Sequence, residues 1–291
     1  MRSLLFVPGD SEKKLEKAFG SAADVVIVDL EDSVAPQNKE TARTLAAEFI
    51  RANRQNTKAA LYVRVNDLES GRTESDLGAL MAVAPDGIML PKSNSGADVQ
   101  RLSARLRVHE AEHGIADGST KIIPLVSETP LGVLNAATYH DASPRIAGLT
   151  WGAEDLSAAI GARTSRDQEG RYTDVFRLAR SLTLLGAASA SVAAIDTVFV
   201  NFRDEKGFRR ECLDAERDGF TAKLAIHPAQ IEVINEVFTP SPEAIVHAVA
   251  VVEAFAAAGN PGVVAIDGQM YDIPHLRRAE RLLARVGRSS A

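Results

Sequence analysis

The chain has a single cysteine, Cys212, so no internal disulfide can form and a reducing compartment is the simpler setting. It also lacks a basic excess: 33 Lys and Arg stand against 39 Asp and Glu, a net charge of −6. Binding nucleic acid needs concentrated cations, so this balance argues against such a partner and leaves room only for a local patch for a small anion. No apolar run approaches the ~20 residues that cross a membrane. The N-terminal stretch Leu4–Val7 is too short for a signal-peptide core and is followed at once by Pro8-Gly9 and a charged segment. These absences predict a soluble, cytoplasmic protein with no nucleic-acid or membrane partner. Phosphate-binding loops, glycine-rich dinucleotide fingerprints and a nucleophile elbow with Ser, His and Asp in order are missing as well. No His/Cys cluster with zinc spacing is expected, which disfavours zinc; His109 and His113, on a charged helix, are expected to be solvated.

What is present is a repeated alternation. The chain has 291 residues, 45% hydrophobic and 25% charged; one α/β barrel typically needs about 250 residues, and two small domains would also fit. Short apolar runs occur at Leu4–Val7, Val25–Leu30, Ala60–Val65, Gly87–Leu90, Ile122–Val126, Gly148–Trp151, Thr197–Val200 and Lys223–Ile226. Most are continuous rather than alternating, as in parallel strands buried on both faces. Between them lie helical patterns, among them Glu12–Phe19, Lys39–Arg51, Val99–His113, Val175–Leu185 and Lys206–Arg217. Eight β-then-α units predict an α/β protein, a (β/α)8 TIM barrel, over residues 1–238.

The pattern changes over residues 239–291. Thr239-Pro240-Ser241-Pro242-Glu243 is a helix start with a Ser cap. A small-residue helix over Ala244–Ala258 follows, then a Gly259-Asn260-Pro261-Gly262 turn, a hairpin through Asp267-Gly268 and a last helix, Ile273–Val286. Gly287–Ala291 is expected to fray. This C-terminal extension exceeds what a barrel needs, and either caps it or packs on a neighbouring subunit.

Barrels of this type place their active sites at the C-terminal strand ends, so the polar residues after each run are the candidates. They are Asp29, Glu31 and Asp32 after the second run, Arg64 after the third, Lys92 after the fourth, Glu128 after the fifth, Glu154 and Asp155 after the sixth, and His227 after the eighth. Carboxylates and cations crowded on one rim are costly unless a metal or ionic ligand organises them. Glu128 and Asp155 follow adjacent strands. They read as a Mg2+ pair, since Mg2+ takes one or two carboxylates and keeps several waters, or equally well as helix-capping carboxylates. Asp29, Glu31 and Asp32 read as groups behind the metal's waters or as caps; strand alternation puts Asp32 on the face opposite the other two. Arg64 suits a substrate carboxylate, an ion pair with one of those acids, or both. Lys92, beside so many carboxylates, should keep a high pKa and make a poor Schiff-base amine. The backbone amides of Gly152, Ala153 and Glu154 offer a seat for a carboxylate. His227, before Pro228, reads equally as a turn residue.

Phe6-Val7-Pro8-Gly9, Val28–Val34, Leu90-Pro91-Lys92, Glu128–Gly132, Gly152–Leu156, Ala225–Ile231 and Asp267–Asp272 together resemble the signatures of the citrate lyase beta-subunit-like family of Mg-dependent aldolases. That group includes malyl-CoA and citramalyl-CoA lyases. The likeness runs in order along nearly the whole chain. It departs at Phe6, where Tyr is frequent, and at Ala222, where Gly is common. The resemblance implies Mg2+, for which Mn2+ can substitute, held by Glu128 and Asp155, with Arg64 on the substrate. It implies contacts to CoA, as part of the substrate, near Phe6, Lys13, Lys17, Lys39, Ile226 and His227. It further implies that Asp272 is a catalytic base delivered by an adjacent subunit of a homotrimer or dimer of trimers. The expected reaction is reversible cleavage of a β-hydroxyacyl-CoA into a 2-oxo acid and acetyl-CoA. Alternatives are the beta subunit of a multi-subunit citrate lyase, a CoA-independent Mg aldolase for hydroxy-oxo acids, and an acyl-CoA- or metal-binding barrel without turnover.

Overall fold

The computed structural model describes residues 1–259 and 261–287. Asn260, in the expected Gly259–Gly262 turn, and the 288–291 end lie outside the described residues. Strands β1 (Ser3–Pro8), β2 (Val25–Asp29), β3 (Ala60–Arg64), β4 (Gly87–Leu90), β5 (Lys121–Pro124), β6 (Gly148–Thr150), β7 (Ala193–Asp196) and β8 (Ala222–Ala225) form one parallel sheet in the order β5-β4-β3-β2-β1-β8-β7-β6. The remaining edges, β5 and β6, meet through two isolated parallel bridges, Ile122↔Ile146 and Leu125↔Thr150. Ile122, Ala147 and Val126 amides donate across that seam at 2.8–2.9 Å. The result is an eight-stranded α/β barrel.

Helices α1 (Glu12–Phe19), α2 (Lys39–Asn53), α3 (Thr73–Leu80) and α4 (Gly96–His113) follow the first four strands. Helices α5 (Pro130–Leu134), α6 (Ala153–Ile160), α7 (Asp174–Ser189), α8 (Glu205–Asp218) and α9 (Ile231–Val237) belong to the second half. Pleat alternation sorts the strand residues. Leu4, Val25, Ile27, Tyr62, Met89, Ile123, Ile195 and Leu224 fill the interior, whereas Leu5, Val26, Val28, Leu61 and Val63 pack under the helices. Continuing the inward parity places Phe6, Asp29, Arg64 and Ile226 at the next layer, where the strands open onto the rim.

One strand differs from expectation. The seventh is Ala193–Asp196, not Thr197–Val200, which carries no strand pairing. The β-branched run Thr197-Val198 gives the stronger local signal, but the register pairs Gly148 with Ala193. A Cβ at Gly148 would meet the Ala193 carbonyl at 2.9 Å and Ile195 Cδ1 at 2.8 Å. Close packing there selects small residues that local propensity does not flag as strand.

Residues Thr239–Ala291 form a second compact unit, separate from Met1–Phe238. Ser241 caps α10 (Pro242–Ala257) by accepting from the Ala244 amide. β9 (Val263–Ile266) and β10 (Gln269–Asp272) pair antiparallel. Their two-residue turn, Asp267-Gly268, has φ of 48° and 78°, the left-handed pair that matches strand twist in a tight hairpin. α11 (Ile273–Arg285) follows, and Val251, Phe255, Val264, Ala279 and Leu283 form this unit's own core.

Candidate active site

At the rim, Asp29 and Arg64 form a paired contact. Arg64 Nε and a terminal nitrogen donate to the two Asp29 oxygens, both at 2.7 Å, and the other terminal nitrogen lies 3.1 Å from Glu31 Oε2. Burial alone would raise the Asp29 carboxyl, but the Arg64 charge and hydrogen bonds hold it below its ordinary value. Arg64 in turn lies 4.8 Å over the Phe6 ring. Its guanidinium is thus fixed on three sides while still lining the cavity, so both roles open to it in the sequence remain compatible.

β2 ends at Asp29, so strand alternation no longer separates Glu31 from Asp32. Both carboxylates face the Lys92 ammonium, which bonds Glu31 and lies 3.4 Å from Asp32 and 3.6 Å from Asp155. Burial would lower the Lys92 pKa; the Glu31 hydrogen bond and the surrounding carboxylates raise it instead. A lysine held this firmly in its charged form does not serve as a Schiff-base nucleophile. Lys92 also has φ of 49°, a left-handed conformation that costs a non-glycine residue about 1–3 kcal/mol. That twist aims its backbone amide at Glu128 Oε2, 2.6 Å away.

Neither Glu128 nor Asp155 is an N-cap. Thr129 caps α5, accepting from the Gly132 amide, and Gly152, which has no side chain, precedes α6. Glu128 is 3% exposed. Its carboxyl is pushed up to about 8, first by burial and then by the Asp155 charge, with the Lys92 amide and Arg64 opposing. Gly152 makes room for it, because a Cβ there would meet Glu128 Cγ at 2.9 Å and Oε1 at 3.2 Å. A buried carboxylate with too little positive charge around it, beside a second, half-exposed one, suits a divalent cation with waters and substrate oxygens. The residues present fit Mg2+.

These groups line a cavity of about 290 Å3 that includes Arg64, Glu128, Gly152, Ala153, Glu154 and Asp155. Phe6, Pro8 and Ile226 also border a groove of about 1120 Å3, flanked by Lys14, Lys17 and His227. The two spaces adjoin at these three residues. Of the expected CoA contacts, Phe6, Lys17, Ile226 and His227 line the groove. Lys13 does not, and Lys14 stands in its place. The Lys39 ammonium donates to the Leu30 and Glu31 carbonyls at 2.8 and 2.7 Å, which ties the acidic loop to α2. His227 caps the turn at Pro228, its Nδ1 accepting from the Ala229 amide, and stacks on Phe202 at 4.6 Å. Asp272 lies in the C-terminal unit as the cap of α11. It is exposed, and His275 Nδ1 lies 2.5 Å from its Oδ1. That hydrogen bond first of all holds the Asp272 carboxyl below its ordinary range.

Residues 2–228 match the model of the HpcH/HpaI aldolase/citrate lyase family. The chain belongs to this family. Among members of the aldolase/citrate lyase family it is 34% identical to the citrate lyase subunit beta of Leuconostoc mesenteroides subsp. cremoris over 97% of this chain and 92% of that protein. It is 35% identical to a (3S)-malyl-CoA thioesterase of Cereibacter sphaeroides over 98% and 94%. The structure superposes with a TM-score of 0.78 and 36% identity, covering 98% of both chains, on the protein CitE of Mycobacterium tuberculosis in complex with magnesium, acetoacetate and coenzyme A.

His109 departs from the solvated state expected of it. It is 6% exposed, with Nε2 2.8 Å from Glu74 Oε1. Helix α3, which carries Glu74, has a weak periodicity that hid this partner.

Proposed function

We propose that this chain is a Mg2+-dependent carbon–carbon lyase. It would cleave a β-hydroxyacyl-CoA thioester of malyl-, citramalyl- or citryl-CoA type, reversibly and through an enolate, into a 2-oxo acid and acetyl-CoA. The observation that carries this reading is the buried Glu128 carboxylate beside Asp155 in a cavity lined by Arg64 and adjoining a lysine-flanked groove. A similar chain from Mycobacterium tuberculosis holds magnesium, acetoacetate and coenzyme A together, the three kinds of ligand these two spaces would take.

Glu128 and Asp155 would hold the metal, with Asp29, Glu31 and Asp32 behind it. When bound, Mg2+ supplies a Lewis acid that fixes and neutralises the oxygens of the oxo-acid half. Arg64 directs its remaining N–H groups at that half, already oriented by Asp29 and Glu31. The amides of Gly152, Ala153 and Glu154 open the first turn of α6 with no side-chain cap, so they are available to the substrate carboxylate. Phe6 and Ile226 would wall the thioester, and Lys14 and Lys17 would face the CoA phosphates.

In the cleavage direction the substrate hydroxyl gives its proton to a base, the C–C bond breaks, the hydroxyl carbon becomes the carbonyl of the 2-oxo acid, and the electron pair enters the acetyl thioester as its enolate. Protonated Asp272, from a neighbouring subunit of a homotrimer or dimer of trimers, would return a proton to that carbon. In condensation the Asp272 carboxylate would remove it. Its ionised state, favoured by His275, suits the second role.

The thioesterase relative motivates a second reading, in which water cleaves the same thioester to the hydroxy acid and free CoA. A carrier-bound thioester, as for a lyase subunit, and a free hydroxy-oxo acid are further substrates of the same chemistry; the adjoining lysine-flanked groove favours CoA. Incubation with malyl-, citramalyl- and citryl-CoA, with and without Mg2+, separates these readings. The lyase yields acetyl-CoA and 2-oxo acid in equal amounts, only with metal. Free CoA with the intact hydroxy acid would assign hydrolysis. Cleavage of free hydroxy-oxo acids alone would assign an aldolase, and no turnover a binding protein.

A further inference from the structure

We propose that His109, Glu112 and His113, on the last turn of α4, form a second metal site that takes a borderline divalent ion, Zn2+ foremost. Helix α4 runs back from the rim to the start of β5, so this site sits at the opposite end of the barrel from Glu128. Residues three and four apart share one helix face. One ligand-type atom from each of the three lies within 4.8 Å of the others, and the two imidazole planes are within 6° of parallel.

The decisive group is His109. Its Nε2 faces Glu74 Oε1 at 2.8 Å. A carboxylate there accepts, so Nε2 carries a ring proton, and with a single ring proton Nδ1 presents its lone pair. Nδ1 is buried and has no hydrogen-bond partner. The nearest charge is Glu112 Oε2, 3.4 Å away. Both atoms are electron-pair donors that one cation can share.

The outer contact has the right form as well. Histidines that bind metal usually give their other N–H to a carboxylate, which fixes tautomer and ring orientation. Glu74, on α3, does this for His109. Two imidazoles and a carboxylate suit zinc, at about 2.0–2.2 Å per bond, with water in the fourth position. Drawing the three ligands onto one ion asks shifts on the order of 1 Å from Glu112 and His113, which are exposed. Magnesium, which prefers oxygen ligands and keeps its waters, is a poor occupant.

Glu110 completes an H-E-x-x-H sequence but not a hydrolytic centre. It is wholly buried, paired with Arg145 at 2.6 and 2.7 Å, and accepts from the Gly118 and Thr120 amides. With no base at the ion, the site binds rather than cleaves, and ties α4 to α3 through Glu74.

The test uses the full, tag-free chain, stripped with a chelator and titrated with Zn2+ by calorimetry in excess Mg2+. Co2+ absorption serves as a second readout. Uptake of a single zinc ion that weakens tenfold or more in His113→Gln and in Glu112→Gln is expected. Both residues are on the surface, so these variants spare the fold. Glu74→Gln should weaken zinc about 10- to 100-fold by releasing the His109 tautomer. Equal zinc affinity in the parent, His113→Gln and Glu112→Gln, or no zinc uptake by the parent, would overturn the proposal. Unchanged affinity in Glu74→Gln would overturn the role given to that residue.

Discussion

Lys92 meets Glu128 through its backbone rather than its charge. The amide donates to Glu128 Oε2 at 2.6 Å while the ammonium is engaged by Glu31. Glu128 is therefore oriented by a neutral donor in a buried place, and its negative charge is only partly offset by Arg64. That combination leaves the carboxylate fixed in direction and short of a counter-ion.

Two substitutions probe this arrangement. Glu128→Gln should abolish metal-dependent turnover, since the amide keeps the shape and loses the charge. Gly152→Ala should act more gently, pressing a methyl group against Glu128 Cγ, 2.9 Å from where it would sit. Mg2+ affinity should fall about 10- to 100-fold with little change in melting temperature, because Gly152 has a φ of −129° that alanine adopts freely. Calorimetric Mg2+ titration reads both; full affinity in either variant would remove Glu128 from the metal site.

Arg64→Lys keeps the charge but loses the planar fork that spans Asp29 and Glu31. With charged hydrogen bonds contributing about 1.5–3 kcal/mol each, kcat/KM should fall at least ~10-fold, chiefly through KM for the oxo-acid half. Kinetics in the condensation direction, with the 2-oxo acid varied, check this. An unchanged KM would confine Arg64 to its ion pair.

Asp272→Ala should leave Mg2+ and 2-oxo-acid binding intact while lowering turnover ~10^2-fold or more. If the base comes from a neighbouring subunit, mixing inactive Asp272→Ala and Glu128→Gln chains under subunit exchange should restore activity. Each mixed assembly would then contain sites with both groups intact. Mixtures as inactive as their components would place base and metal in one chain.

Asp196 provides a test of stability. Fully buried, it accepts from Lys223 Nζ at 2.7 Å, Trp151 Nε1 at 2.8 Å and Arg180 Nε at 3.2 Å. Burial would raise its pKa, and the two cations hold it below the ordinary value instead. The unfolded carboxyl titrates near ~3.9. Its stabilisation is thus fully present above that pH and is lost as pH falls through the lower, folded value. Asp196→Asn should cost about 3–5 kcal/mol at pH 7, and the gap to the parent should narrow below pH ~4. Urea unfolding across that range measures it; a gap independent of pH would show that the ionised form is not what stabilises.

The barrel was legible because buried parallel strands leave continuous apolar runs such as Val25–Val28. The seventh strand was not, since the contact between Gly148 and Ala193 favours small residues over β-formers. The rim could be listed but not arranged. Spacing left Glu128 and Asp155 equal between ligand and cap, and only the fold shows Thr129 and Gly152 in the capping positions. The resemblance implied a CoA contact near Lys39, and the fold adds what spacing did not show, two hydrogen bonds from its ammonium to the Leu30 and Glu31 carbonyls. The tautomer of His109 depends on Glu74, 35 residues away, a separation that no local pattern encodes.

The barrel's thinnest join lies between β5 and β6, which touch through isolated bridges rather than a continuous ladder. Glu128 emerges beyond β5, and Asp155 beyond β6. A cation held by both would clasp the two banks of that join, so part of its binding free energy would be spent keeping the cylinder shut. Ligation and closure would then be one equilibrium, and amide exchange at Val126 and Ala147 would slow as the metal concentration rises.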